Sequence, residues 1–170
     1  MWYVVQVRSG TEREIIKQCQ AVISEEVLQD SFLPCYEEMK RYQGDWHTKQ
    51  RLLFPGYVFL VSPELDRLYQ GLKRVIGLTK LVRTGDQVIP LTEEEQSFLL
   101  RFGGEEQVVK MSTGVIENDR VVILEGPMKG LEGYIRKIDR HKRKAYLDLT
   151  LFGREQRVQV GVEIVGRKEE

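Results

Sequence analysis

Two cysteines, two histidines and five prolines among 170 residues leave this chain little from which to build a covalent or metal-held framework. Cys19 and Cys35 form no C-x-x-C pair and have only His47 and His141 for metal-binding company. Neither a disulfide scaffold nor a metal site is indicated, and both thiols are expected to be buried as small apolar groups. No apolar run approaches the roughly 20 residues of a membrane span. The opening MWYVVQV has neither the basic start nor the small-residue cleavage site of a secretory signal, so a cytoplasmic protein is expected. Catalytic signatures are missing as well. The segment EGPMKGLEG, residues 125–133, has glycines but not the G-x-x-x-x-G-K-[ST] of a phosphate cradle, and it falls between strand patterns, where Gly126, Gly130 and Gly133 read as turn and bulge positions. With no nucleophile elbow and no recognisable carboxylate pair, neither an enzyme nor a cofactor is expected.

Net charge is absent too, because 26 basic residues cancel 26 acidic ones. The balance is uneven along the chain, with 14 basic and 16 acidic residues up to Val115 and 12 basic and 10 acidic beyond it. A 41% hydrophobic content is ample for a core, in one domain or two small ones.

Residues 2–7 are aromatic and β-branched and run into Ser9-Gly10, a strand followed by a turn. Thr11 and Glu14 have the spacing of a capping box, and Ile15, Cys19, Val22, Ile23 and Val27 recur at helical intervals, predicting a helix to about Leu28. Residues 32–40 read as a short strand and 51–61 as a longer buried one, with a charged connection between them, a pair that suggests a hairpin with a long arm. Ser62-Pro63-Glu64 opens a helix whose buried stripe is Leu65, Leu68, Tyr69 and Leu72, and residues 79–83 resume a strand. Thr92 with Glu95 forms a second capping box before a helix that packs Phe98, Leu99 and Phe102 inward. This order predicts an α+β fold, an antiparallel sheet with packed helices over residues 1–102.

Residues 103–115 are glycine-punctuated and without a sustained period, the pattern of a flexible linker. From 116 to 170 the pattern is all β, with strands at 120–124, 133–138, 144–151 and 156–160 suited to a small closed barrel. In this part, RKIDRHKRK (residues 136–144) packs six cations and a histidine into nine positions at an expected hairpin tip. Such a run is either a solvated tip that discourages edge pairing or a phosphate-binding surface, since clustered cations gain most when polyanions neutralise them. On the second reading Arg136, Lys137, Arg140, Lys142, Arg143 and Lys144 hold the phosphates, and His141, Lys129, Arg154 and Arg157 extend the patch. Tyr134 and Tyr146 either stack on bases or pack structurally.

LLFPGYVFL, residues 52–60, interrupts a strongly apolar strand with Pro55-Gly56, which asks for a bulge or an edge. Phe54, Tyr57 and Phe59 cannot easily all face one layer at alternating positions, so one side is a candidate docking surface.

Four segments, WYVVQVRSGTERE, FPGYVFL, DRVVILEGPMKGLEGYIRKID and LDLTLFGREQRVQV, resemble in order and spacing the NusG family of transcription elongation factors across nearly the whole chain. The resemblance implies an NGN-type amino-terminal domain followed by a small KOW (SH3-like) barrel. It implies further that the first domain grips the RNA polymerase clamp, on the matching positions through Phe54, Pro55, Tyr57 and the neighbouring Gln6 and Val7, with Arg67 and Arg74 facing the other side of the channel. In the family's KOW domain an aromatic turn residue and the F-G-R phenylalanine help dock a small ribosomal protein; here these positions are Met128 and Phe152. The missing aromatic and the dense basic hairpin make the chain similar to the specialised antiterminator branch LoaP, which reads RNA hairpins in operon leaders. The partners so implied are the polymerase clamp and a nascent RNA hairpin, with a ribosomal protein or termination factor open, for a monomer off the membrane. A housekeeping elongation factor and a ribosome-associated KOW protein stay open as alternatives.

Overall fold

A computed structural model describes residues 1–78 and 88–167. Along the chain run β1 (Trp2–Gln6), α1 (Glu12–Val22), β2 (Asp30–Phe32), β3 (Cys35–Tyr42), β4 (Asp45–Leu52), β5 (Tyr57–Val61), α2 (Leu65–Leu72), β6 (Val88–Pro90) and α3 (Glu93–Gly103). Then follow β7 (Val108–Val109), β8 (Ser112–Glu117), β9 (Arg120–Glu125), a 3-10 turn (Glu132–Tyr134), β10 (Ile135–Asp139), β11 (Lys144–Leu151) and β12 (Arg154–Arg167). These form two compact units, Met1–Leu33 with Phe54–Gln96, and Pro34–Leu53 with Ser97–Glu170. The result is a mixed α/β protein in which three helices accompany several sheets.

The first unit is an antiparallel sheet in the order β2-β5-β1-β6. Alternation along β1 and β5 sends Tyr3, Val5, Val58 and Leu60 into one core with Ile15 and Cys19 of α1 and Leu68 and Leu72 of α2. The opposite face carries Val4 and Phe59, 1% and 0% exposed, and a chain of rings from Trp2 through Phe32 and Phe59 to Phe54 with centroids 4.8, 5.4 and 5.7 Å apart. Burying Phe59 alone contributes about 1.5–3 kcal/mol. Both thiols are buried, and burial pushes that of Cys19 up to about 11.

Several local expectations are corrected. α1 stops at Val22, Ile23 is extended, and the amides of Val27 and Leu28 turn back to the Ser24 carbonyl. Val27 and Leu28 still reach the core, so the apolar period outlasts the helix that it suggested. The Thr11–Glu14 box is not made; the Thr11 hydroxyl donates to the Arg8 carbonyl at 2.6 Å. The Thr92–Glu95 box is made in both directions, at 3.1 and 3.0 Å. α2 starts after Pro63 rather than at it and leaves Leu65 exposed. α3 buries Leu99 and Phe102 as expected, with Phe98 half-buried and stacked on Phe102 at 5.2 Å. The strand expected at 79–83 lies outside the described residues. The long strand expected at 51–61 is two strands, because Pro55-Gly56 makes a tight turn with Gly56 at φ +87°. The charged connection before it is strand as well, pairing β3 with β4 from Cys35↔Leu52 to Tyr42↔Asp45.

In the second unit β4-β3-β7 form one sheet and β10-β11-β12-β8-β9 another. β11 alternates as its sequence predicts, with Ala145, Leu147, Leu149 and Leu151 buried. The expected barrel closure is corrected: among the described residues the end strands β10 and β9 do not pair, and the sheet is open. Between them the amides of Lys129, Leu131 and Tyr134 bond locally, to the carbonyls of Gly126, Met128 and Leu131, instead of to a strand. The segment expected as a linker, 103–115, holds β7 and the start of β8, with Val108, Val109 and Ser112 buried. β12 passes β3 so closely at Gly161 that a Cβ there would lie 2.5 Å from the Glu37 carbonyl oxygen and overlap the Met111 sulfur. Gly161→Ala is therefore expected to destabilise the fold by about 1–3 kcal/mol in chemical denaturation, while Gly133→Ala, with nothing within 4 Å of the new methyl, stays near neutral.

Candidate functional site

The basic segment 136–144 does form a hairpin tip, between β10 and β11. Its turn is held by Asp139, whose carboxylate accepts the Lys142 amide at 3.0 Å, and Arg143 adopts φ +55° to complete it. The Lys142 amide, with burial opposing, holds the Asp139 carboxyl below its ordinary value.

The six cations are not equivalent. Arg136 and Arg157 share Asp148, with Nε–Oδ distances of 3.4 and 2.9 Å, and the Arg157 hydrogen bond is the chief reason that carboxyl stays ionised below the usual range. Arg143 lies 3.7 Å from Glu163 and stands over the Trp46 ring at 3.8 Å. Lys144 binds Glu38 at 2.5 Å and Gln159 at 3.3 Å. Lys137 sits over the half-buried Tyr146 ring at 5.7 Å. Arg140, His141 and Lys142 stand exposed at the tip, as do Lys129, Arg154 and Tyr134 elsewhere in the unit. Three of the six charges are thus matched by carboxylates, and the field that can reach a ligand comes from Lys137, Arg140 and Lys142.

Glu38 was not legible as a site residue, yet it organises this surface. Its side chain, 10% exposed, accepts from Arg51 at 2.6 Å as well as from Lys144. Burial would raise its pKa, but the two cations outweigh burial and hold it below the ordinary value; for Lys144 burial is likewise overcome, chiefly by Glu38, and the ammonium is raised. Trp46 was missed for a similar reason, since one aromatic in a charged stretch has no period to mark it.

The other candidate set lies in the first unit. Val7 and Phe54 are buried, Gln6 and Tyr57 are half-buried cross-strand partners, and Pro55 is exposed at the turn. The turn is fastened by Glu12, 3% exposed, whose two carboxylate oxygens accept the amides of Gly10 at 2.8 Å and Gly56 at 2.7 Å. The Val7 amide adds a bond to the Gly56 carbonyl at 2.8 Å. Arg67 pairs with Glu64 at 3.0 Å and Arg74 donates to the Val22 carbonyl at the end of α1; both are exposed. Met128 and Phe152 are buried, at 0% and 3% exposure, and present no surface in this conformation. Among the described residues no group of three or more His, Cys, Asp or Glu side chains is placed to hold a metal ion, and no helix is long and apolar enough to cross a membrane.

Residues 1–100 match the family model described as transcription termination factor NusG. The chain belongs to the NusG family. NusG proteins named for transcription termination and antitermination are similar to it along most of their length. That of Borreliella burgdorferi is 29% identical over 175 residues, covering 94% of each chain, and that of Vibrio parahaemolyticus 26% identical over 167 residues, covering 94% of this chain and 91% of the relative. A solved structure of Thermotoga maritima NusG, concerned with domain interaction in that protein, has 27% identity and a TM-score of 0.51 over 94% of this chain and 92% of its own.

The lowered Glu38 carboxyl fixes the sign of an acid response in this NusG-family chain. Stabilisation from the Arg51–Glu38–Lys144 cluster is complete above the ordinary glutamate value of 4.5 and is lost as pH falls through the lower folded value. Denaturation midpoints followed from neutrality into that range are expected to fall less steeply in Glu38→Gln than in the wild type.

Proposed function

We propose that this chain is a transcription elongation and antitermination factor of the specialised LoaP-like kind, which binds RNA polymerase and a nascent RNA hairpin at once. Residues 1–102 act as the NGN-like polymerase-binding body, 103–115 as the connection, and 116–170 as a KOW module. The polymerase clamp meets the surface around Gln6, Pro55 and Tyr57, with Val7 and Phe54 supporting it from beneath. Arg67 and Arg74 face the opposite wall of the channel. Met128 and Phe152 remain the places at which a ribosomal protein or termination factor would engage, once exposed. The observation that carries the reading is the exposed tip Arg140-His141-Lys142, pinned by Asp139 and flanked by Lys137, in a chain of the NusG family. Phosphate contacts of this kind position duplex RNA by its backbone more than they specify its sequence. Joining two modest contacts in one chain raises the effective concentration of the second.

A second reading, the housekeeping elongation factor, is favoured by the pairing of Arg136, Arg143 and Lys144 with carboxylates, which halves the charge available to RNA. Affinity for a structured leader RNA, measured against salt beside a scrambled RNA, separates the two: the specialised factor prefers the hairpin, and equal weak binding leaves the general factor. On the specialised reading, Arg140→Ala with Lys142→Ala weakens hairpin binding and lowers the salt slope by about 1 per lost phosphate contact, while polymerase co-purification is unchanged. Tyr57→Asp gives the converse, loss of polymerase with RNA binding retained.

A further inference from the structure

We propose that the groove between the β3–β4 hairpin and the basic β10–β11 turn binds unpaired RNA, with a base stacked on Trp46 and the backbone held by Lys40, Arg41 and Lys142. The proposal rests on the RNA-binding reading above and adds a separate ligand class, a single strand next to the stem. The groove has a volume of about 530 Å³, and its walls, one from residues 38–46 and the other from 141–144, belong to the same compact unit although the proposed polymerase-binding body and KOW module each supply one. Lys40 and Arg41 approach from β3, Lys142 from the turn, and all three are exposed. The one carboxylate lining it, Glu38, is already bound by Arg51 and Lys144, so the residual charge of the lining is positive.

Trp46 is what selects the occupant. Arg143 covers one face of its ring at 3.8 Å, so the base in this proposal stacks on the opposite face of a residue that keeps 36% of its surface exposed. Cross-strand pairing sets Arg41 directly opposite Trp46, which places a cation beside the ring. An aromatic platform flanked by cations matches a strand whose bases are unstacked and whose phosphates run past at regular intervals. A fully paired stem offers phosphates to such a groove but no free base face, and an acidic peptide offers charge without a ring.

The test uses the full chain with Trp2→Phe, which leaves Trp46 as its sole tryptophan. Titrating unpaired oligoadenylate is expected to quench Trp46 fluorescence, and polyglutamate of equal length is not. Trp46→Ala is expected to weaken oligoadenylate binding about tenfold, within the range for loss of one base–aromatic stack, with Trp46→Phe retaining most of the affinity. Lys40→Ala and Arg41→Ala each lower the single-strand salt slope by about 0.7. A blunt RNA hairpin is expected to be indifferent to Trp46→Ala and sensitive to Arg140→Ala with Lys142→Ala. Oligoadenylate binding unchanged in Trp46→Ala and without quenching overturns this proposal while leaving the hairpin reading intact. Equal binding of polyglutamate, weakened in the same variants, overturns it in favour of an acidic protein partner. Failure of both RNAs to bind overturns both readings.

Discussion

The carboxylate of Glu38, nearly buried between Arg51 and Lys144, is the contact on which the charged surface of the second unit depends. It joins β3 and β4 to β11, and through Lys144 it holds the end of the basic turn. Removing two cations and a carboxylate from water is costly, so such a cluster adds less to stability than its short distances suggest. Its stronger consequence is geometric. With Lys144 held by Glu38 and Gln159, the next residue back, Arg143, lies over Trp46, and the turn from Arg140 to Lys142 is left outward.

The first unit depends on a comparable carboxylate. Glu12 ties the start of α1 to the turn at Pro55-Gly56, using both oxygens on backbone amides that would otherwise be unpaired at a tight corner. That corner separates β4 from β5 and brings Tyr57 opposite Gln6. In both units, then, an acid that is nearly inaccessible fixes a loop whose outer residues carry the candidate chemistry.

Much was legible in advance. Strand β1 follows from its aromatic and β-branched residues, β11 from alternation of apolar and polar positions, the second capping box from Thr92 and Glu95, and the basic tip from plain density of charge. The family followed from four motifs in order, and the match over residues 1–100 bears it out. Other features were legible only in part. Residues 32–40 read as a strand, but the rest of the β3–β4 hairpin is charged on both sides and does not alternate, and the end of α1 was hidden because Val27 and Leu28 stay buried after the helix has stopped. Sheet closure failed as an expectation because short strands with turns between them satisfy an open sheet as well as a closed one.

By itself, the sequence determined the secondary elements with a strong period, the family, and the place in the chain where positive charge accumulates, since each is a property of neighbouring residues. Tertiary structure alone decided which of those charges are spent on Asp148, Glu163 and Glu38 and which remain for a ligand. It also decided that Trp46, distant in sequence, stands under Arg143. Pairing between distant residues depends on how strands are brought together in space, and no local pattern of residue types encodes that.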